Sequence, residues 1–332
     1  MSIFKEVEVT GQVSVKAISG RVHPCSQCIL LMGPTGAGKS RFIESLAGDR
    51  SLGISKNQLE GFTQEVSAFE LVNITYRGFP ICVVDTPGFS DPKISGMEIV
   101  RKVEGWMKAN GRDTINRILY LTPITDKRVP GSKRRMLHMF KLLAGPQAAA
   151  NMSLVTTMWN SIWEDSQMDT AESHLRQLRD DIWKEFTGQG FQISKFHCTQ
   201  ASALGILDTA LHQNTLNYFG LENMLREGQD IRETPFGPSI YQELCARIEA
   251  LRQQQGAIQQ DLSQLATLAN EELTVVLQEQ LATVEADLKK FEKELEDYGE
   301  PPQSPSRSKR QRIFEKYSRH VREIKQKLRG GH

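Results

Sequence analysis

The sequence predicts an α/β domain with a mostly parallel sheet, covered by helices on both faces and followed by a long helical extension. Short apolar runs alternate with helix-like stretches over about 200 residues, which is typical of parallel strands joined by helices. A glycine-rich loop, GPTGAGKS at residues 33–40, separates the first apolar run from the helix that follows. Residues 240–298 contain no proline and one glycine, and their apolar residues recur at spacings of three and four, which favours long helices.

The apolar runs also place the individual elements. The predicted strands are residues 28–32, two strands within 66–86 that flank a turn at Arg77 and Gly78, 116–124, 152–159 and 191–199. The predicted helices are residues 39–48, 132–145 and 170–186, with a further helix after the last strand. A polar stretch at 49–64 is expected to form a loop. The resulting regions are an N-terminal segment (1–24), a nucleotide-binding domain (25–235), a helical extension (240–298) and a basic, disordered tail (299–332).

Charge is unevenly distributed along the chain. The 332 residues have a net charge of +1, but residues 301–332 contain ten Lys or Arg and two Glu, a net of +8. The other residues therefore carry −7. Such a tail suits an acidic lipid or protein surface or a nuclear localisation signal, and a merely solvated end is the alternative.

Cysteine usage and hydropathy indicate the compartment. Five scattered cysteines form no disulfide framework, which suits a reducing environment. The charged N-terminus lacks the apolar core of a signal peptide, and no apolar run reaches the roughly 18–20 residues of a transmembrane segment. We therefore expect a soluble, cytoplasmic protein, with peripheral membrane attachment or a nuclear location left open.

The loop at residues 33–40 fits the phosphate-binding pattern G-x-x-x-x-G-K-[ST] without deviation. Its backbone N–H groups and the following helix N-terminus would cradle phosphates, Lys39 would reach the β- and γ-phosphates, and the Ser40 hydroxyl would bind Mg²⁺. The predicted nucleotide-binding residues of this loop are Gly33, Pro34, Thr35, Gly36, Ala37, Gly38, Lys39, Ser40 and Arg41.

A second motif, DTPG, begins at Asp85, where an apolar strand ends. An acidic residue in that position can hold Mg²⁺ and its water shell, and the Gly88 N–H can approach a γ-phosphate. Asp85 is therefore a predicted metal ligand, and Gly88 is a predicted nucleotide contact.

Together, GPTGAGKS and DTPGFSD resemble the GTP-binding domain of the septins and the AIG1/Toc34-type GTPases, including immunity-associated GTPases and their fungal counterparts. The resemblance covers about residues 25–215. It implies GTP or GDP with Mg²⁺, and a threonine that binds Mg²⁺ when the γ-phosphate is present, for which Thr63 is the best match. Lys39 and Thr63 would then be the catalytic residues. The resemblance also implies G domains that pair across the nucleotide, and hence a homodimer or oligomer.

Base recognition departs from the family pattern N/T-K-x-D, because residues 157–160 read TMWN. Asn160 offers one acceptor oxygen to guanine where an aspartate would offer two, and Trp159 or Met158 would stack on the base. Ser202 and Ala203 resemble the second base-binding loop of the family. These residues favour GTP and GDP, and ATP or a relaxed purine site is the alternative.

Phe89 occupies the position where Ras-like proteins carry a water-orienting glutamine, so we expect GTP hydrolysis to be slow or stimulated by association. Lys127 and Arg128 are candidates for reaching the nucleotide, in cis or in trans, and a solvated basic loop is their alternative. The leading hypothesis is a GTPase that acts as a nucleotide-dependent switch. The second is a nucleotide-binding scaffold that hydrolyses little or no GTP.

The helical extension has two interpretations. Its apolar seam suits a coiled coil that brings two chains together or binds a partner, which we favour. The same seam would also suit a helical hairpin folded back on its own nucleotide-binding domain.

Overall fold

The computed structural model describes residues 4–48, 64–89, 91–126, 131–212, 217–264 and 271–302. The strands in these ranges are β1 Val7–Ala17, β2 Gln27–Met32, β3 Ser67–Tyr76, β4 Phe79–Asp85, β5 Arg117–Pro123, β6 Met152–Thr157 and β7 Gln192–Lys195. The helices are α1 Lys39–Ala47, α2 Gly96–Ala109, α3 Gly131–Ala144, α4 Asp165–Gln177, α5 Lys184–Thr187, α6 Gln200–His212, α7 Gly220–Glu227, α8 Gly237–Ser263 and α9 Glu271–Tyr298.

The strands form one sheet in the order β1-β3-β4-β2-β5-β6-β7. The five strands from β4 to β7 in this order are parallel, and β1 and β3 add an antiparallel edge. Two apolar clusters cover the faces: one includes Phe42 of α1 and Leu207 of α6, and the other includes Val103 of α2 and Phe140 of α3. The predicted mostly parallel sheet with helices on both faces is therefore confirmed.

Several elements differ from the sequence expectation, and helices α2 and α7 were not predicted. Strand β1 lies within residues 1–24 and was not predicted, because its pairing with β3 shifts register between Val9 and Ser14 and few of its residues are buried. The helix expected at 170–186 begins earlier, at Asp165, and a π-helical turn interrupts it after Gln177. That turn lets the backbone N–H of Trp183 donate to the Leu178 carbonyl, and the Trp183 ring is fully buried.

The helical extension is confirmed as two antiparallel helices, α8 and α9, that pack on each other. Phe291 and Tyr298 of α9 are buried in the same apolar cluster as α2 and α3. The hairpin is thus folded back on the nucleotide-binding domain, and a coiled coil between chains stays a prediction. In the described part of the chain, no helix is both long and apolar enough to span a bilayer. The basic tail from residue 303 onward lies outside the described residues.

Candidate nucleotide-binding site

The glycine-rich loop connects the carboxyl end of β2 to α1, where ligands bind in open parallel sheets. Gly33 has φ 140°, and a Cβ atom there would lie 2.2 Å from the Leu121 carbonyl oxygen of β5. Only glycine fits that backbone position. Thr157, at the end of β6, donates its hydroxyl to the Ala37 carbonyl at 2.9 Å and braces the loop from the other side. Sequence reasoning gave Thr157 no role of its own, although it opens the TMWN stretch.

Lys39 lies across the loop that precedes it. Its ammonium donates to the carbonyls of Gly33, at 3.3 Å, and Pro34, at 3.2 Å, and the residue is only 7% exposed. Burial lowers the pKa of Lys39, and the carboxylates of Asp85 and Asp91 oppose that shift. A buried cation whose partners are neutral carbonyls is well placed to bind an anion.

Ser40 and Asp85, two of the predicted metal ligands, lie together. The Ser40 hydroxyl donates to Asp85 Oδ2 at 2.9 Å, and Asp85 is 1% exposed. The pairing of β2 with β4, in which Leu31 is the partner of Asp85, fixes this arrangement. A hydroxyl and a carboxylate are oxygen donors of the kind that Mg²⁺ prefers. The third predicted ligand, Thr63, lies outside the described residues.

The DTPG motif packs directly against the glycine-rich loop. A Cβ atom at Gly88 would lie 2.3 Å from Thr35 Oγ1 and 2.4 Å from the Thr35 backbone nitrogen. The Phe89 N–H donates to the Gly33 carbonyl at 3.3 Å. Thr35 Oγ1 is buried and has no hydrogen-bond partner within the residues described. Because a buried hydroxyl without a partner is costly, this atom fits a site completed by a hydrogen-bonding ligand such as a phosphate.

Other residues assigned to nucleotide binding have structural partners. Arg41 forms an ion pair with Glu44, one turn further along α1, at 3.2 Å. The Trp159 ring is buried, its indole N–H donates to Thr156 Oγ1 at 3.0 Å, and the Lys195 ammonium lies 4.3 Å from the ring centroid. Trp159 thus packs against the ends of β6 and β7, and its contact with a base stays a prediction.

Asn160 is exposed beyond the end of β6, and its Oδ1 accepts a hydrogen bond from Cys198 Sγ at 3.4 Å. This contact joins the loops that follow β6 and β7. Cys198 has φ 56°, which is uncommon for a residue other than glycine. Sequence reasoning missed Cys198, and the only signal for it was its position just after the last strand.

Ser202 and Ala203 are in the first turn of α6. The Ser202 hydroxyl accepts from the His197 N–H at 3.1 Å and donates to the Lys195 carbonyl at 3.3 Å, so it shapes the loop after β7. Ala203 is fully buried in the apolar cluster that also contains Phe42 and Leu207. Neither side chain is brought against the phosphate loop by any described contact, and their role in base binding stays a prediction.

Phe89 is 1% exposed and packs edge-on against Phe140, with ring centroids 6.4 Å apart. Its side chain belongs to the core and carries no group that could orient a water molecule. Lys127 and Arg128, the candidates for completing the site, lie outside the described residues.

Comparison with known proteins agrees with this fold and these motifs. The model of the AIG1 family matches residues 27–188. These residues are an AIG1 family domain. The domain is of the AIG1/Toc34-like P-loop GTPase group, and its match contains the phosphate loop, the DTPG motif and TMWN. Helix α6 and the α8–α9 hairpin lie beyond the matched residues.

Individual relatives cover part of the chain. GTP-binding protein A of Dictyostelium discoideum is 27% identical over 198 residues, which are 59% of this chain and 41% of that protein. Translocase of chloroplast 33 of Arabidopsis thaliana is 25% identical over 153 residues, 46% of this chain and 47% of that protein. The chain thus spans less than half of the length of these relatives. The structure of Toc33 from Arabidopsis thaliana with GDP and Mg²⁺ is 18% identical, with a TM-score of 0.41, and the match covers 56% of this chain and 83% of that one.

Proposed function

We propose that the chain binds GTP and GDP with Mg²⁺ and hydrolyses GTP slowly or on association, as a nucleotide-dependent switch. The observation that carries the proposal is the hydrogen bond at 2.9 Å between Ser40 and the buried Asp85, beside the buried ammonium of Lys39. The name of the Dictyostelium relative, GTP-binding protein A, supports guanine as the base.

Each residue has a defined task in this proposal. Lys39 would exchange its two carbonyl partners for phosphate oxygens, and the Thr35 hydroxyl would gain a hydrogen-bond partner. Ser40 and Asp85 would hold Mg²⁺, directly or through its water shell. The metal, when bound, neutralises charge on the phosphates. Gly88 is next to Thr35, where its N–H can respond to the third phosphate.

Nucleotide retention and binding test the proposal. The purified chain is denatured, the released nucleotide is identified by chromatography, and GDP affinity is measured for wild type, Lys39→Ala and the exposed-lysine control Lys16→Ala. An ammonium near a phosphate contributes several kcal/mol, so Lys39→Ala should lose at least about 100-fold in affinity, and Lys16→Ala should lose nothing. Unchanged affinity in Lys39→Ala would refute the site, and a retained adenine nucleotide would refute guanine.

A second function, a nucleotide-binding scaffold with little or no turnover, is favoured by the burial of Phe89. Phosphate release measured at increasing protein concentration separates the two. A specific rate that rises with concentration supports hydrolysis stimulated by association, with a second copy of the chain completing the site. Bound GDP with no release at any concentration supports the scaffold.

A further inference from the structure

Hydrolysis of a nucleoside triphosphate needs a group that orients the attacking water, and Phe89 does not supply one. The Phe89 ring is 1% exposed and packs against Phe140. Two residues further along the chain, Asp91 carries a carboxylate and is only 2% exposed. A carboxylate accepts a hydrogen bond from water and can take its proton, so Asp91 has the chemistry that Phe89 lacks.

The backbone brings Asp91 to the phosphate site. Its N–H donates to the Gly88 carbonyl at 3.0 Å, which turns the chain back after the DTPG motif. Gly88 lies against Thr35 of the glycine-rich loop, where an added Cβ atom would be 2.3 Å from Thr35 Oγ1. Asp91 is therefore next to the place, beside the Gly88 N–H, where the third phosphate of a bound triphosphate would lie.

The Asp91 carboxylate is within electrostatic reach of the Lys39 ammonium. Burial lowers the pKa of Lys39, and the carboxylates of Asp85 and Asp91 oppose that shift, so both act on the same buried cation. Lys39 is also the residue that would bind the phosphates. A shared cation lets a negatively charged side chain lie close to a negatively charged substrate.

Only one oxygen of the Asp91 carboxylate has a hydrogen-bond partner among the residues described. Oδ1 accepts from the Lys93 N–H at 2.9 Å, and Arg247 donates to the Asp91 backbone carbonyl at 2.8 Å, so the residue is held at two points. Within the same described ranges, no hydrogen bond reaches Oδ2. An oxygen without a donor is costly in a side chain this buried, which is expected of an atom that serves a ligand or a water molecule.

We infer that Asp91 is a catalytic residue for the third phosphate, and that its Oδ2 accepts the hydrogen bond of the attacking water and then the proton. This inference rests on the proposed function. The water oxygen forms a bond to the γ-phosphorus, and the bond from that phosphorus to the bridging oxygen breaks. Its electron pair leaves with the diphosphate, and the water proton passes to Asp91 and from there to solvent. The products are GDP, inorganic phosphate and one proton.

The test compares Asp91→Asn with Asp113→Asn in the full chain. Asn keeps the Oδ1 acceptor for Lys93 but cannot take a proton. Asp113 is an exposed carboxylate that pairs with Arg226 at 3.1 Å, and it precedes β5, at the opposite edge of the sheet from the glycine-rich loop. Single-turnover GTP hydrolysis is measured with the chain in excess, at increasing chain concentration, together with the affinities for GDP and for a non-hydrolysable GTP analogue.

Asp91→Asn should lower the single-turnover rate at least about 100-fold, and Asp113→Asn should leave it unchanged. The affinity of Asp91→Asn for GDP should stay within about threefold of wild type, because the lost interaction is made in the transition state. Its affinity for the triphosphate analogue should be equal or higher, since a negative charge near the third phosphate is removed. If Asp91→Asn does not fold, Asp91→Glu carries the test: it keeps a carboxylate but displaces it, so the rate should fall at least about tenfold with binding retained.

Equal single-turnover rates in wild type and Asp91→Asn would overturn the inference and leave the proposed function standing. A rate and an analogue affinity that fall together would also overturn it, because Asp91 would then hold the loop and take no part in the reaction. A wild-type chain that binds GTP without hydrolysing it at any concentration would overturn the inference and favour the scaffold. A wild-type chain that binds neither nucleotide would overturn the proposed function itself.

Discussion

Asn160→Asp is the sharpest test of how the base is recognised, because it replaces the amide NH₂ group with a carboxylate oxygen and leaves the shape of the side chain almost unchanged. Asn160 has one acceptor oxygen, and Cys198 Sγ already donates to it at 3.4 Å. Guanine presents two donors, N1–H and the 2-amino group, so the wild-type amide leaves one donor facing an NH₂ group. A carboxylate would accept from both donors.

The expected gain follows from the added hydrogen bond. A hydrogen bond to a charged group contributes about 1.5–3 kcal/mol, which corresponds to roughly 10–150-fold in affinity. Asn160→Asp should therefore bind GDP about tenfold or more tightly. IDP lacks the 2-amino group and should gain less, so the preference for GDP over IDP should rise by about tenfold.

Competitive displacement of a fluorescent nucleotide by GDP, IDP and ADP measures these preferences. Asn223→Asp is the matched control, since it adds the same charge on α7, which packs against α2 and α3. A GDP-to-IDP preference that is identical in wild type and Asn160→Asp would refute the assignment of Asn160 to the base, provided that Lys39→Ala still abolishes binding.

Two further predictions concern the metal and the stability of the fold. Asp85→Asn should lower triphosphate affinity in Mg²⁺ about 10–100-fold and remove most of the difference between Mg²⁺ and EDTA buffers, and an undiminished difference would exclude Asp85 from the metal site. The Glu222 carboxylate accepts hydrogen bonds from the backbone N–H groups of Ile115 and Phe219, and burial raises its pKa from 4.5 to about 7. The folded state therefore binds more protons between these pH values, and the free energy of unfolding should fall by up to about 3 kcal/mol as pH rises from about 4.5 to 7. Urea unfolding of wild type and Glu222→Gln across that range checks it, since the variant should show a flatter profile, and parallel profiles would contradict the assignment.

The phosphate site could be predicted from sequence because its chemistry is local. Residues 33–40 are contiguous, and Asp85 ends an apolar strand that was itself predictable. Parallel pairing of β2 with β4 then places Asp85 beside Ser40. Strand β1 lacked this clarity, because the shifted register between Val9 and Ser14 breaks the alternation that marks a half-buried strand.

The contacts of the C-terminal hairpin could not be predicted in the same way. Arg247 and Lys290 bind backbone carbonyls, which every residue carries, so no complementary side chain in the sequence points to their targets. The apolar seam of α8 and α9 likewise fits any apolar partner. Sequence spacing reveals that a helix has a buried face, but it does not reveal whether the surface that covers it belongs to the same chain.

The position of the hairpin constrains how the chain could self-associate. Phe291 is 1% exposed and Tyr298 is 4% exposed, both within the domain's own core, so a coiled coil between chains that used these residues would first have to undock the hairpin. Undocking would break the contacts of Arg247 and Lys290 with residues 91–96. Self-association through the seam and docking of the hairpin on its own domain are therefore alternatives.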